Sequence, residues 1–370
     1  DYSYHSGRHA GRLSTHAVHD GGYKDSSGFD QQKLSYRHDY FGNLWQVKNL
    51  ISVSNLNQDT AGFIEGKDAY QEEDRLKENP NPEAFRDNRV ARAYSRWLRP
   101  MGSGGLLVTP YVRYVDSDFL LHFLPGQPLE ENGQWGIGVQ TALFNINRTG
   151  LSWRSGLDLE YTDAYLRQTQ FNEVPWSGVF PVGKHYDYTV DSFYAGLFAN
   201  VDWQVTDSTQ LTGGIRYDTI YYDYRNRMID GSSSDDGSPC GGGPCRYSRP
   251  ADRSDAFGNF SYGVGINQFI ADTLTVFGTV KHAFRPPQAT ELYRLQNGQQ
   301  VADVEPEQLN SAELGVRGDF NQSFFTLAVF AMHKQHVIIM EPDRRVANDG
   351  ETNHYGVEAS LSWHFAQRWS

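Results

Sequence analysis

Apolar and polar side chains alternate with a period of two along most of the chain. This is the pattern of strands that turn one face to an apolar phase and the other to a polar one. Leu151, Trp153, Leu157, Leu159 and Tyr161 fall on one side, against Ser152, Arg154, Asp158 and Glu160. Phe193, Ala195, Leu197, Ala199, Val201 and Trp203 oppose Ser192, Asn200 and Asp202, and Leu211, Ile215 and Tyr217 oppose Thr212, Arg216 and Asp218. A last run sets Tyr355, Val357, Ala359, Leu361, Trp363 and Phe365 against Glu358, Ser360, Ser362 and His364. In all, about fourteen strands are predicted.

The connections alternate as strictly as the side chains. Short turns fall near Tyr40–Asn43, Pro100–Gly104, Asn147–Thr149, Val205–Ser208, Ile270–Asp272 and Asp319–Gln322. Between them lie the longer polar segments Gln58–Phe85, Phe119–Gly133, Arg167–Val190, Arg225–Asp255, Pro287–Asn310 and Glu341–Glu351. A soluble sandwich or propeller has no reason to keep such a rule. A membrane β-barrel with short periplasmic turns and long extracellular loops does. Within the loops, Asp68–Lys77 is predicted as a short helix with Glu73 and Lys77 at i,i+4 spacing. Gly231–Ser238 reads as a flexible tip.

Composition fits this fold. Aromatics make up 14% of the chain, with 22 Tyr, 21 Phe and 8 Trp. Mean hydropathy is −0.61, and no apolar run is long enough for a membrane helix. Strands that show lipid only every second residue keep the mean low, so a barrel remains open. Aromatics near strand ends, Tyr221-Tyr222-Asp223-Tyr224 with Trp45, Trp97, Trp203 and Trp363, suit interfacial girdles or ordinary cross-strand pairs. The formal charge of −12 argues against a nucleic-acid partner.

No G-x-S-x-G elbow, P-loop or H-E-x-x-H occurs, so neither catalysis nor a cofactor is expected. Asp158 and Glu160 lie about 7 Å apart along a strand, a spacing that glycosidase carboxylates share with any polar wall. His5 and His9 are read on one strand face, and His333 and His336 near Met332, Met340 and Glu341. A metal site would need such donors to converge. The reading adopted is of individual polar histidines.

The most specific string is Phe284-Arg285-Pro286-Pro287, then Glu291-Leu292-Tyr293, then Glu305-Pro306-Glu307-Gln308-Leu309-Asn310-Ser311-Ala312-Glu313-Leu314-Gly315. Pro286-Pro287 ends a strand, since proline cannot donate to the ladder, and a polar loop follows. With Asn353-His354-Tyr355-Gly356-Val357-Glu358, the string resembles the late-barrel signature of TonB-dependent outer-membrane receptors. The resemblance is tight over residues 281–365 and architectural elsewhere.

That resemblance implies an all-β, antiparallel transmembrane barrel, of which the chain holds about 14 of roughly 22 strands. Residues 1–370 would be the barrel domain, incomplete at both ends, with the plug, TonB box and closing strand missing. The wall is expected open, its Asp1-side and Ser370-side strands forming edges. Arg154, Asp158, Glu160, Arg216, Asp218, Glu313, Arg317 and Glu358 would face the plug; a polar wall without a specific partner is the alternative.

The implied function is energised uptake of a scarce ligand, most often a ferric siderophore, across the outer membrane of a Gram-negative bacterium through TonB. Outer-membrane lipid would surround the barrel. Ligand contacts would come from His122 and Phe123 in the apolar segment Asp118–Gly126, and from Trp176 and Tyr186. Tyr221, Tyr222, Tyr224, Arg225 and Arg227 at the mouth of the longest loop, with Tyr293 and Arg294, complete the set. Loop-to-loop packing is the alternative for each.

Haem receptors of the family carry a histidine between the Phe-Arg-x-Pro and Asn-Pro-Asn-Leu motifs. Here that stretch has none, and the second motif reads Val304-Glu305-Pro306-Glu307, which weakens a haem reading. A passive porin, a copper or cobalamin receptor and a secreted all-β carbohydrate-active protein are the other readings. Cys240 and Cys245 bracket Gly241-Gly242-Gly243-Pro244 and either close a small loop or remain free thiols. The oxidising compartment that the resemblance implies favours the disulfide.

Overall fold

The computed structural model describes residues 1–147, 150–241, 243–320 and 323–363. The strands are β1 (Tyr2–Ser6), β2 (His9–Asp20), β3 (Phe29–Phe41), β4 (Gln46–Asp59), β5 (Phe85–Met101), β6 (Gly104–Leu120), β7 (Leu129–Asn145) and β8 (Leu151–Gln170). They continue as β9 (Gly183–Thr206), β10 (Thr209–Asn226), β11 (Tyr247–Ser248), β12 (Arg253–Ala271), β13 (Leu274–Arg285), β14 (Leu295–Gln296), β15 (Glu307–Phe320), β16 (Ser323–Met340) and β17 (Val346–Trp363).

All but β11 and β14 form one 15-stranded antiparallel meander in chain order, one strand more than the alternation predicts. Among the described residues β1 and β17 do not pair with each other, so the wall is open, as expected. β11 and β14 pair separately, joining two loops.

Short and long connections alternate throughout. Residues 7–8, 42–45, 102–103, 207–208 and 272–273 turn at one rim, and 60–84, 227–252 and 286–306 leave the other. Gly7 and Gly102 sit at φ +55° and +59°, a left-handed conformation that suits glycine in two-residue turns. The turns expected near 147–149 and 319–322 lie partly outside the described residues, as do His364 and Phe365. The loops are shorter than predicted. β9 alone runs 24 residues, against the roughly 9–11 that cross a bilayer. Its upper end continues the ladder into the loop layer, where Tyr186, Tyr188 and Val190 are buried on one face.

Register carries the outer apolar row from strand to strand. Trp153 pairs with Val201, Val201 with Gly213, Gly213 with Val264 and Val264 with Val280. Ala312, Ala331 and Tyr355 extend the row to β17. These side chains meet no other protein layer: Leu197 is 60% exposed, Val264 63% and Val357 67%. Aromatic pairs line this face, Trp45 with Trp97 and Trp135 with Tyr161. Of the aromatics expected at strand ends, Trp97, Trp203 and Trp363 are exposed, whereas Tyr222 and Tyr224 are buried. An apolar outer face and a polar inner one make a barrel wall, not a folded sandwich.

The buried core lies above the wall, among the long loops. Leu166, Tyr186, Tyr188, Val190, Tyr222, Tyr224, Tyr247, Leu292, Tyr293 and Val304 form it. One short helix, α1 (Ala289–Tyr293), belongs to this layer and replaces the polar loop expected there. Gln288 and Glu291 close a capping box at its start. The helix predicted at Asp68–Lys77 is instead two 3₁₀ turns, Ala69–Gln71 and Glu73–Arg75. Its ion pairs run from Arg75 to Glu72 and Glu78, not from Glu73 to Lys77. A segment this short, with little apolar surface to bury, does not sustain an α-helix.

Candidate functional site: a packed loop crown above a charged inner wall

The signature string folds into a fastening. Arg285, the last residue of β13, grips Glu291 of α1 through both terminal nitrogens, at 2.9 and 3.0 Å. Its Nε donates to Glu307 of β15 at 2.7 Å. Lys334 of β16 reaches the same carboxylate at 2.8 Å, and the Ile338 amide donates to it at 2.9 Å. Bonds from Arg285, then from Lys334 and Ile338, outweigh the cost of burial and hold Glu307 down at about 2. Three motif elements distant in sequence are thereby tied at one strand end.

Leu292 and Tyr293 continue the fastening inward. Tyr293 stacks on Tyr224 with ring centroids 4.3 Å apart and donates to Asp255 at 2.8 Å. Tyr186 donates to the Leu295 carbonyl at 2.5 Å. Arg249 is buried and donates to the carbonyls of Ile229 and Ser233, which holds the stretch expected to be a flexible tip. The Cys240–Cys245 disulfide closes the same loop; Gly242 within it lies outside the described residues.

A polar chain crosses this layer. Arg294 pairs with Glu130 at 2.6 Å and donates to Gln168 at 2.6 Å. Gln168 donates to His185 Nδ1 at 3.1 Å, and His185 Nε2 donates to the Pro181 carbonyl at 2.9 Å. Burial, aided by the nearby positive charges of Arg249 and Arg294 and opposed by the Pro181 bond, pushes His185 down to about 4. It is a neutral imidazole stacked on Tyr247 at 3.9 Å.

These contacts redistribute the residues expected to touch ligand. Tyr186 and Tyr293 are 0% exposed, Tyr224 1% and Tyr222 8%. In this arrangement they pack the crown and do not reach its surface. Tyr221 points outward beside Phe193, one residue from Tyr222 and on the opposite face. Arg225 lies on that outer side with Asp223 and Asp191, and Arg227 faces Asp187. Arg294 is taken up by Glu130 and Gln168.

What stays available is Trp176 at 73% exposure and Phe123 at 61%. His122 lies beside Phe123, its Nδ1 buried without a partner among the described residues.

The residues read as plug-facing all lie on the inner face. Asp158 and Asp218 both bind Arg216, at 2.9 and 2.7 Å, and Tyr194 joins them. Glu160 accepts from Tyr111 and Arg113, neither of which the sequence singled out. β6 is apolar on both faces, with Val108, Tyr111, Val112 and Tyr114, so its inward side is hidden. Gly196 and Gly138 leave room for this network, since a Cβ at Gly196 would meet Arg216 and Asp218. Arg154 lies over Phe198 and Arg317 over Phe277. Glu313 pairs in register with Phe330 and Glu358 with Ala328.

Histidines do not converge. His5 and His9 lie on different strands across the Gly7 turn, because that turn breaks the run the sequence suggested. His9 instead meets His38 at 3.0 Å. His333 bonds Asn353, and His336 faces Glu305 at 3.5 Å. Among the described residues no three His, Cys, Asp or Glu side chains gather as metal ligands.

A family model described as TonB dependent receptor-like, beta-barrel matches residues 1–370. The chain belongs to this family. Its members are receptors and transporters of the outer membrane, not enzymes.

Solved structures agree on the fold. The ferric-catecholate import receptor Fiu from E. coli K12 superposes with a TM-score of 0.71 at 13% identity, covering 99% of this chain and 60% of its own. The ferric yersiniabactin uptake receptor FyuA from Yersinia pestis gives 0.70 at 14%, covering 98% and 55%. The copper transporter OprC gives 0.73 at 13%, covering 97% and 54%. The receptor chain thus spans little more than half the length of these structures. No curated protein matches it.

Proposed function

We propose that residues 1–370 are the barrel portion, incomplete at both ends, of an outer-membrane receptor of a Gram-negative bacterium that imports a ferric siderophore with energy delivered through TonB. The arrangement of connections carries this reading. Among the described residues, one rim of an apolar-outside, polar-inside wall has short turns, and the other bears long loops packed into a crown. A passive pore has no use for such a crown, whereas a receptor needs a shaped surface above its lumen.

Phe123, Trp176 and His122 are the residues through which the crown would meet the ligand; their rings suit the large, partly apolar surface of a chelate. Tyr186, Tyr222, Tyr224, Tyr293 and Arg294 support that surface from below. Arg154, Asp158, Glu160, Arg216, Asp218, Glu313, Arg317 and Glu358 would face a plug, and the outer row would face lipid.

Iron-starved cells that depend on the full-length receptor test this. They should grow on a supplied ferric siderophore only while TonB is present. Growth that persists without TonB would identify a passive pore. Copper or cobalamin dependence in the same strain would keep the uptake class and replace the cargo.

A further inference from the structure

One row of polar side chains breaks the apolar outer face of the wall. In register across β13, β15, β16 and β17 stand His282, Asn310, His333 and Asn353. Along its own face of β13, His282 has Val280 on one side and Phe284 on the other. Beside it on β12 the same face runs Val264, Tyr262 and Phe260, all exposed. An imidazole set among apolar side chains that face an apolar phase is costly unless its polar atoms find partners.

Half of that need is met within the row. His282 donates from Nδ1 to the Asn310 side-chain oxygen, and His333 to that of Asn353, each at 2.8 Å. An amide oxygen can only accept, so both neutral rings carry their proton on Nδ1 and keep a lone pair on Nε2. Among the described residues, neither those Nε2 atoms nor the Asn310 and Asn353 amide nitrogens have a hydrogen-bond partner. The row therefore presents acceptor and donor in turn, about 5 Å apart from strand to strand. It contains no charged Lys, Arg, Asp or Glu.

On the short-turn side of the row the wall is hollowed. A groove of about 340 Å³ is bounded by His282, Asn310, His333 and Tyr355. It shares Val280, Ala312 and Ala331 with a second, of about 580 Å³, lined by Ile266, Leu314 and Val329. Gly278 lies on the floor: a Cβ there would sit 3.7 Å from both Ile266 and Leu314, so the space between them is open. From His282 to Gly278 the groove runs about 13 Å along the strand.

We infer that this groove is a lipid site that selects for a sugar headgroup. One acyl chain lies over Gly278 between Ile266 and Leu314. Hydroxyls of the head donate to the Nε2 atoms of His282 and His333 and accept from Asn310 and Asn353. An uncharged row of alternating acceptors and donors matches hydroxyls, each of which does both, better than a phosphate, whose oxygens only accept. Tyr262 stacks on His282 with ring centroids 5.1 Å apart and closes one end of the row. The inference rests on the reading that the outer row faces lipid, and it adds which lipid one sector of the wall holds.

Native mass spectrometry of the full-length receptor, released from detergent, tests this with digalactosyl diacylglycerol and with phosphatidic acid of the same chains. The receptor should retain one galactolipid and prefer it about tenfold over phosphatidic acid. N310L/N353L should lose that preference, since the bonds to the hydroxyls go with the amides. G278L should lower retention of both lipids about tenfold and leave their ratio unchanged, because its side chain displaces roughly two methylenes of the acyl chain. S155L, on the outer face of β8 opposite Ala199, should behave like wild type.

Equal retention of the two lipids, a galactolipid preference that survives N310L/N353L, or G278L binding like wild type would overturn the site. A receptor dimer in place of bound lipid would overturn it equally. None of these readouts involves TonB, so growth on a siderophore is judged separately. A receptor that stays soluble without detergent would instead remove the lipid-facing wall, and the site with it.

Discussion

Two connections of comparable length leave the same rim of the sheet. The segment 227–252 is held to β9 by Arg249 and joined to the segment 286–306 through the β11–β14 pair and the Arg246–Asn297 bonds, while Tyr293 of the latter segment stacks on Tyr224 of β10. The segment 60–84 has Phe63 and Tyr70 each 73% exposed and buries little beyond Ala69 and Ala84. It is stitched to residues 21–28 by polar bonds: the Asp25 amide to the Lys77 carbonyl, and Asn79 to the carbonyls of Asp25 and Ser26. Length does not decide how firmly a loop is held. Aromatic burial gives the first pair of loops a core of their own, while hydrogen bonds already available in water leave the second near the low end of local stability.

Breaking the fastening should have the largest effect. Arg285→Ala leaves Glu307 and Glu291 without their shared partner and should cost roughly 3–5 kcal/mol. Limited proteolysis of the full-length protein should then cut within 227–252 and 286–306. Tyr70→Ala should stay within about 0.5 kcal/mol of wild type. Equal protection of both variants would mean that the crown does not depend on the clamp.

The wall beneath both loops provides the next contrast. Leu197→Arg on the outer face should cost roughly 2–4 kcal/mol in the bilayer and loosen both loop sets together. Ser192→Arg on the inner face should cost much less. Unfolding in urea from lipid vesicles separates the two, and equal penalties would remove the distinction between the faces.

Acid should act on the crown alone. His185 is neutral in the folded crown, with its pKa at about 4, and would titrate near 6.5 if the crown opened. Stability is therefore complete above about pH 6.5 and is lost as pH falls towards 4, up to roughly 3 kcal/mol. Hydrogen exchange at residues 183–190 should quicken over that window, while exchange in 60–84 keeps its ordinary pH dependence. A His185→Gln crown should lose the effect.

The smallest change is expected from reducing Cys240–Cys245. A loop this short contributes about 2 kcal/mol at most by chain entropy. Exchange should rise at 231–238 and leave β9 unchanged. Fraying that spreads to Tyr186 would show the disulfide to be part of the main fastening.

The wall was readable from the chain and the crown was not. Leu197, Val201 and Trp203 announce their face because an apolar outer side and a polar inner side alternate residue by residue. Tyr221 and Tyr222 carry no such label: one turns outward and one packs inward, and a tyrosine suits lipid edge, ligand or core alike. Strict alternation, applied to Tyr221–Arg225, would have parted the two faces. Arg113 escaped notice because its strand is apolar on both sides. Asp158, read from the sequence as plug-facing, is engaged with Arg216 within the wall itself.

The Arg285 clamp also changes what a reader of related chains can take from the signature. An Arg at the strand end, a Glu at the third position of a capped turn and a Glu opening the next strand together spell a cross-brace that sets the pitch of one rim of the barrel. A chain bearing that string advertises how its upper loops are anchored and is silent about its cargo. Phe123 and Trp176 stand clear of the brace, so exchanging them should leave it intact.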